Sequence, residues 1–153
     1  MTERITPKVT VDIIIEIQDW WPNNDELVNG IVLVERKNPP LGYALPGGFV
    51  DVGERCIEAA AREALEETGL RVTQLLQFHT YTSPDRDVRD HGISVVYIGK
   101  AIGAPKGADD AEDAFIVNPE NMKWILEKLC FDHRQIITDY LVFKRTGVRP
   151  TNE

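Results

Sequence analysis

The stretch from Gly47 to Leu70 constrains this chain more than any other: two glycines, a short loop and then a helix crowded with carboxylates (GGFVDVGERCIEAAAREALEETGL). With Glu63 as the zero of a helical wheel at about 100° per residue, Glu66 falls near −60° and Glu67 near +40°. Three acids therefore share one face. Cys56, Ala59 and Ala60 lie on that side and are small, whereas Ile57, Ala61, Ala64, Leu65 and Thr68 cluster opposite and are the stripe expected to pack on a core. Like charges one helical turn apart repel. Hard divalent cations such as Mg²⁺ reverse that sign, because carboxylate oxygens are their preferred ligands. Gly47 and Gly48 let the backbone bend and approach closely, so that a main-chain carbonyl can join the ligand set. Gly69 is placed to end the helix in a left-handed conformation. For the three acids alone, a solvated acidic helix face is the plain alternative.

Loop and helix together say more. Gly48, five residues, Glu54, seven residues and then Arg62-Glu63-Ala64-Leu65-Glu66-Glu67-Thr68-Gly69-Leu70 resembles the signature box of the Nudix hydrolases at every fixed position; Ala64 is smaller than the aliphatic residue common there. The resemblance implies divalent-metal-dependent hydrolysis of a nucleoside diphosphate linked to another group. It assigns the metal, Mg²⁺ with Mn²⁺ as the alternative, to Glu63, Glu66, Glu67 and the carbonyl of Gly47. Glu63 serves as general base in some members. Arg62, which points away from the acids on the wheel, is expected to be an ion-pair clamp for the glutamates or the loop, and Glu54 to tie loop to helix. Relatives often complete the site with an acid from a later loop. Asp109, Asp110, Glu112 and Asp113 are available there; relatives often carry a glutamate where Asp113 falls, so either Glu112, which is favoured, or the shorter arm of Asp113 takes the role, with a solvated acidic loop as the plain alternative.

Beyond the box, Tyr81-Thr82-Ser83-Pro84-Asp85-Arg86-Asp87-Val88-Arg89-Asp90-His91, with Pro84 fourteen residues past Leu70, resembles the ADP-ribose pyrophosphatase branch, as does Phe131-Asp132-His133. Arg86 or Arg89, and from an earlier strand Arg36, could grip a phosphate or ribose in a planar fork that lysine cannot match. The alternative is a surface loop whose arginines pair with Asp85, Asp87 and Asp90. The expected reaction is ADP-ribose to AMP and ribose 5-phosphate. Competing with it are other Nudix substrates, namely (deoxy)nucleoside triphosphates, dinucleoside polyphosphates or nucleotide sugars. A non-catalytic ADP-ribose sensor is a third reading, disfavoured because the box acids are complete and the chain ends without a DNA-binding domain. A homodimer is expected by resemblance only.

The rest of the chain is read from its periodicity. Val9, Val11, Ile13, Ile15 and Ile17 alternate with mostly polar residues, as in a half-buried strand. Asp19 to Asn29 is a polar connection whose Trp20-Trp21 would cover a core edge or an interface. Gly30–Arg36 and Tyr43–Pro46 read as strands, as do Arg71–Thr82 (Leu76, Phe78 and Thr80 on one face), Ile93–Ala101 and Ala114–Val117; Gly103–Asp113 reads as an acidic loop. Pro119 marks a helix start. A last helix from about His133 to Thr146 carries Ile136, Ile137, Tyr140, Leu141 and Phe143 inward, with Asp132 as its N-cap. This order predicts an α+β fold, an α/β/α sandwich with a mixed sheet between helices, in agreement with the resemblance. Its 153 residues suit a single domain spanning 1–153. A net charge of −8 argues against a nucleic-acid surface. With no apolar run of about 20 residues and no signal peptide, a cytoplasmic protein is expected, its Cys56 and Cys130 reduced.

Overall fold

The computed structural model describes residues 4–17, 30–107 and 111–151, with residues 111 and 112 as backbone alone. Trp20 and Trp21 lie outside the described residues. Strand β1 (Lys8–Ile17) is the centre of the sheet. It pairs along its whole length, in parallel, with β6 (Gly92–Ala101), whose other edge takes β5 (Thr73–Tyr81) antiparallel. Its remaining edge is divided between two antiparallel partners. Thr10–Asp12 pair with β4 (Gly47–Phe49), while Glu16 and Ile17 pair with β2 (Gly30–Arg36). Between these partners the Ile13 N–H is taken by the carbonyl of Pro46 at 2.8 Å. β2 continues outward through β3 (Tyr43–Ala44) and β7 (Ala111–Val117). The sheet therefore opens beside Asp12, where β2 and β4 part.

Helix α1 (Cys56–Thr68) covers one face of this sheet and α2 (His133–Thr146) the other. The alternation of β1 sorts its side chains between two cores. Val11, Ile13, Ile15 and Ile17 join Val32, Val34 and the alanines of α1; Ile14 joins Ile31, Leu33, Phe78, Val96, Ile136, Ile137 and Tyr140 on the α2 side. β1 is thus buried on both faces from Val11 onward, not half-buried as its period suggests. Its polar residues are enclosed rather than solvated. Glu16 accepts from the Tyr140 hydroxyl at 2.7 Å and from Lys144 at 2.9 Å. Among the described residues no buried side-chain polar atom lacks a partner.

Other expectations shift as well. Helix α1 buries Ala59, Ala60, Ala64 and Thr68 and leaves Ile57, Ala61 and Leu65 exposed. Its packed face is therefore turned toward the acids. Alanines allow the helix to lie close to the sheet, and that closeness carries the inner glutamates to the gap beside Asp12. Leu76 is exposed while Phe78 is buried, because β-bulges near Leu76 and Gln77 reset the alternation of β5. The acidic loop is shorter than expected: β7 begins at Ala111, and a bulge makes Glu112 the extra residue opposite the Glu35–Arg36 step. Gly47–Phe49 is strand, not loop. Pro119 opens one turn of 3₁₀ helix. Asp132 stands at the N-cap of α2 but makes no capping bond, since its carboxylate is engaged elsewhere. Both cysteines are free thiols, and no described helix is long and apolar enough to cross a membrane.

Candidate active site

A cavity of about 290 Å³ opens where β2 and β4 diverge. Its first wall comes from α1. Glu63 and Glu67 lie one turn apart on the helix face that meets β4. Glu63 can sit there because Gly48 has no side chain: a Cβ at that position would fall on the Glu63 carboxylate. The Gly47 N–H donates to Glu67 Oε2 at 2.9 Å. Burial pushes the Glu67 carboxyl up to about 8; the Gly47 bond opposes this, the negative charges of Glu63 and Asp12 add to it, and Arg36 counters them. Burial also raises Glu63, against the pull of the Arg62 guanidinium. Glu66 is more exposed and lies at the rim.

Arg62 organises this wall. Its guanidinium donates to both oxygens of Glu54 (2.8 and 2.9 Å), to Glu63 (2.7 Å), to Glu66 (3.1 Å) and to the carbonyl of Phe49 (3.0 Å). The helical wheel pointed this side chain away from the acids. Its length and flexibility bring the charge back to them. Glu54 also accepts from the Asp51 N–H at 3.1 Å, and these bonds, led by Arg62, hold its carboxyl down at about 2. Gly69 ends α1 with φ 70° and its N–H on the carbonyl of Leu65.

The floor is a buried charge network that sequence reasoning did not find. Asp12, from the middle of β1, accepts from Ser94 and from Arg86 Nη2 (3.4 Å), and His133 Nε2 lies 3.3 Å from its other oxygen. His133 Nδ1 accepts the Leu45 N–H at 2.9 Å, so the imidazole proton sits on Nε2 and points to Asp12. Burial alone would raise the Asp12 carboxyl; His133, Arg86 and Ser94 together hold it below its ordinary value. Arg86 also donates to both oxygens of Asp132, at 2.7 and 3.0 Å. Only 7% exposed, Arg86 is committed to Asp12 and Asp132, and its partners are not the neighbouring Asp85, Asp87 or Asp90.

Two cations complete the lining. Arg36, at the end of β2, and Arg89, from the 83–91 segment, both lie with their guanidinium groups over the ring of Phe131, at 4.8 and 4.9 Å from its centroid. Arg36 Nε donates to the carbonyl of Pro40 and Arg89 is paired with Asp87. Arg36, Arg86, Arg89, Phe131, Glu63 and Glu67 all line the cavity.

Of the residues singled out from sequence, the fold therefore gathers Gly47, Gly48, Glu63, Glu67, Arg36, Arg86 and Arg89 around one space, with Glu54, Arg62 and Glu66 on its edge. Asp109 and Asp110 lie outside the described residues, as does the side chain of Glu112; the backbone of Glu112 adjoins Arg36 across the β7 bulge. Asp113 is exposed and accepts from the N–H of Ala114. Among the described residues no three acidic, histidine or cysteine side chains converge on a point that would cage a metal ion. The donor set, carboxylates and carbonyls at the edge of a cavity large enough for an anion, suits a hard cation that keeps waters and completes its shell with phosphate oxygens.

Comparison with known proteins agrees with this geometry. A NUDIX domain model matches residues 19–140. The chain is 46% identical over 143 residues to the ADP-ribose pyrophosphatase of Methanocaldococcus jannaschii, an alignment covering 90% of this chain and 75% of that protein. It superposes on a bifunctional NMN adenylyltransferase/ADP ribose pyrophosphatase from Francisella tularensis, solved with AMP and a Mn ion, with a TM-score of 0.71 and 31% identity over 90% of this chain and 42% of that one. The NUDIX domain of Shewanella oneidensis NrtR, complexed with ADP ribose, shares the fold at a TM-score of 0.76 and 24% identity, covering 93% and 90% of the two chains. Sequence likeness across nine tenths of its length and the shared sheet-and-helix frame lead to one conclusion: the chain belongs to the Nudix hydrolase family and is a pyrophosphohydrolase.

Proposed function

We propose that this hydrolase cleaves ADP-ribose to AMP and ribose 5-phosphate with a divalent cation bound. The observation that carries the reading is the two-signed cavity, lined by Glu63 and Glu67 together with Arg36 and Arg89. A diphosphate flanked by two neutral sugars places its charge in the middle and matches such a space. The name of the archaeal relative supports the same substrate.

When bound, a divalent cation neutralises phosphate oxygens and acidifies a water molecule. Glu63, Glu66, Glu67 and the Gly47 carbonyl are the proposed ligands, for Mg²⁺ first and Mn²⁺ as the alternative. Arg62 keeps the glutamates and the 49–54 loop in register through its bonds to Glu54, Glu63 and Phe49. Arg36 and Arg89 meet the phosphate oxygens, while Arg86 steadies the floor. The water oxygen bonds to one phosphorus as the bridging oxygen departs with the other phosphate. The water's proton goes to Glu112, or to Glu63 if the loop acid does not reach. The homodimer expected by resemblance belongs to this proposal and is checked by the mass in solution.

Substrate is tested with one panel: ADP-ribose, NADH, dGTP, diadenosine polyphosphates and GDP-mannose, each with Mg²⁺ or Mn²⁺. ADP-ribose is expected to give the highest kcat/KM; a nucleoside triphosphate ranking above it refutes the assignment. Glu112→Gln is expected to lose far more turnover than Asp113→Asn, and equal small losses would remove both from the mechanism.

A further inference from the structure

Phe131 carries two features that the proposed chemistry does not require. Its backbone has φ 58°, the left-handed region that a residue with a bulky side chain rarely occupies. Its ring also receives two guanidinium groups, those of Arg36 and Arg89, from separate elements of the fold. The strained conformation is held from both sides. The Cys130 N–H is tied to the carbonyl of Tyr43 at 2.8 Å, and His133 is tied to the N–H of Leu45 at 2.9 Å. A conformation this unfavourable persists only where the surroundings over-determine it, and such residues cluster at ligand sites.

A guanidinium stacked on a ring uses its flat face and keeps its in-plane N–H groups for oxygen acceptors. Two guanidinium groups over one ring are therefore held at a set spacing, while Arg36 donates through Nε to the carbonyl of Pro40 and Arg89 through Nε and Nη2 to Asp87. Left alone, two like charges on flexible side chains would separate; Arg89 is fixed both by the ring and by Asp87, whereas Arg36 without the ring would be free to turn to Glu67. We propose that Phe131 is a positioning residue: its strained backbone delivers an aromatic face to which Arg36 and Arg89 are held, so that both meet the diphosphate of a bound nucleotide already oriented. The proposal rests on the nucleotide-diphosphate reading of this cavity.

Three variants test it: Phe131→Asn, which tolerates a positive φ but has no ring; Phe131→Leu, which keeps the volume; and Phe131→Tyr, which keeps the ring. KM and kcat for ADP-ribose, affinity for inorganic pyrophosphate by calorimetry, and thermal unfolding are compared with the wild type. Phe131→Asn is expected to raise KM and weaken pyrophosphate binding by about 5- to 30-fold, the worth of one or two cation–π contacts. Its kcat should stay within about 3-fold, and its unfolding temperature within about 4 °C because relieved strain offsets lost packing. Phe131→Tyr should restore KM to within about 3-fold. Combining Phe131→Asn with Arg36→Gln should give less than the product of the single effects, since both remove the same contact.

An unchanged KM in Phe131→Asn, a failure of tyrosine to restore it, or multiplicative effects in the double variant would overturn the proposal. If Phe131→Asn does not fold, Phe131→Leu carries the same comparison, with the same KM rise expected. A wild-type enzyme inactive on ADP-ribose but active on another nucleotide defeats the substrate assignment alone, and the variants are then compared on that nucleotide.

Discussion

Glu67→Gln separates what the active-site helix contributes to chemistry from what it costs the fold. In the metal-free protein Glu67 is pressed between burial and the charges of Glu63 and Asp12, and its carboxyl titrates near 8 in place of 4.5. A raised acid is destabilising in its charged form. The stability it leaves intact is full below pH 4.5, falls as pH rises, and levels off above about pH 8. The slope in that window is about 1.4 kcal/mol per pH unit, so that by pH 7 the wild type has lost up to about 3 kcal/mol. Water entering at the cavity mouth screens part of this, giving an expected loss of about 1–3 kcal/mol. Glutamine mimics the neutral acid and can still accept the Gly47 N–H. In a chelator at pH 7, Glu67→Gln should therefore be the more stable protein by about 1–3 kcal/mol, a rise of roughly 2–10 °C in Tm. At pH 4.5 the two should coincide. Added Mg²⁺ should stabilise the wild type more than the variant, which should also have lost most of its turnover. Urea or thermal unfolding between pH 4.5 and 9 in EDTA is the assay. A variant less stable than wild type at pH 7, or a gap that does not change with pH, would refute the reasoning.

Three further outcomes are expected. Gly48→Ala places a methyl group on the Glu63 carboxylate and should reduce turnover about 100-fold, the effect of an ångström of misplacement, while far-ultraviolet circular dichroism stays that of the wild type; near-normal turnover would show that Glu63 is free to move. Glu54 should titrate near pH 2 by carbon NMR and return toward 4.5 in Arg62→Met, its contribution to stability being present above pH 4.5 and lost only as pH falls through about 2. Asp12→Ala leaves buried Arg86 with only Asp132 and should cost about 3–5 kcal/mol in chemical denaturation. A loss below about 1 kcal/mol would mean that the network contributes little to stability.

The acidic wall was legible because its parts are neighbours in the chain. Gly48, Glu54 and Arg62 through Leu70 occupy one turn and one helix, so spacing alone brings them together. The floor was not legible. Asp12 is one polar residue in an apolar strand, its partners Ser94 and His133 lie 82 and more residues away, and nothing local distinguishes a buried acid from a solvated one. In the sequence the triplet Phe131-Asp132-His133 is no more than a likeness to relatives; its use, a ring for two arginines, a carboxylate for Arg86 and an imidazole for Asp12, depends on tertiary placement. Arg86 is obscured for the same reason: three aspartates stand close to it in sequence, whereas its partner Asp132 lies 46 residues away. Of the α1 stripe expected to pack on the core only Ala64 and Thr68 are buried, because a wheel ranks side chains by hydropathy. Here closeness to the sheet favours alanine, and Ile57 and Leu65 are left outside.

The division of β1 between β4 and β2 bears on how this protein can change. Ten consecutive positions of that strand are locked to β6, so the base of the cavity cannot breathe without breaking the heart of the sheet. Everything that could tell one nucleotide from another hangs from the periphery instead, on the end of β2, the 83–91 segment and the turn before α2. New specificity can accordingly be acquired by replacing the rim while the foundation stays as it is, and laboratory evolution toward another nucleotide should leave residues 11–17 untouched.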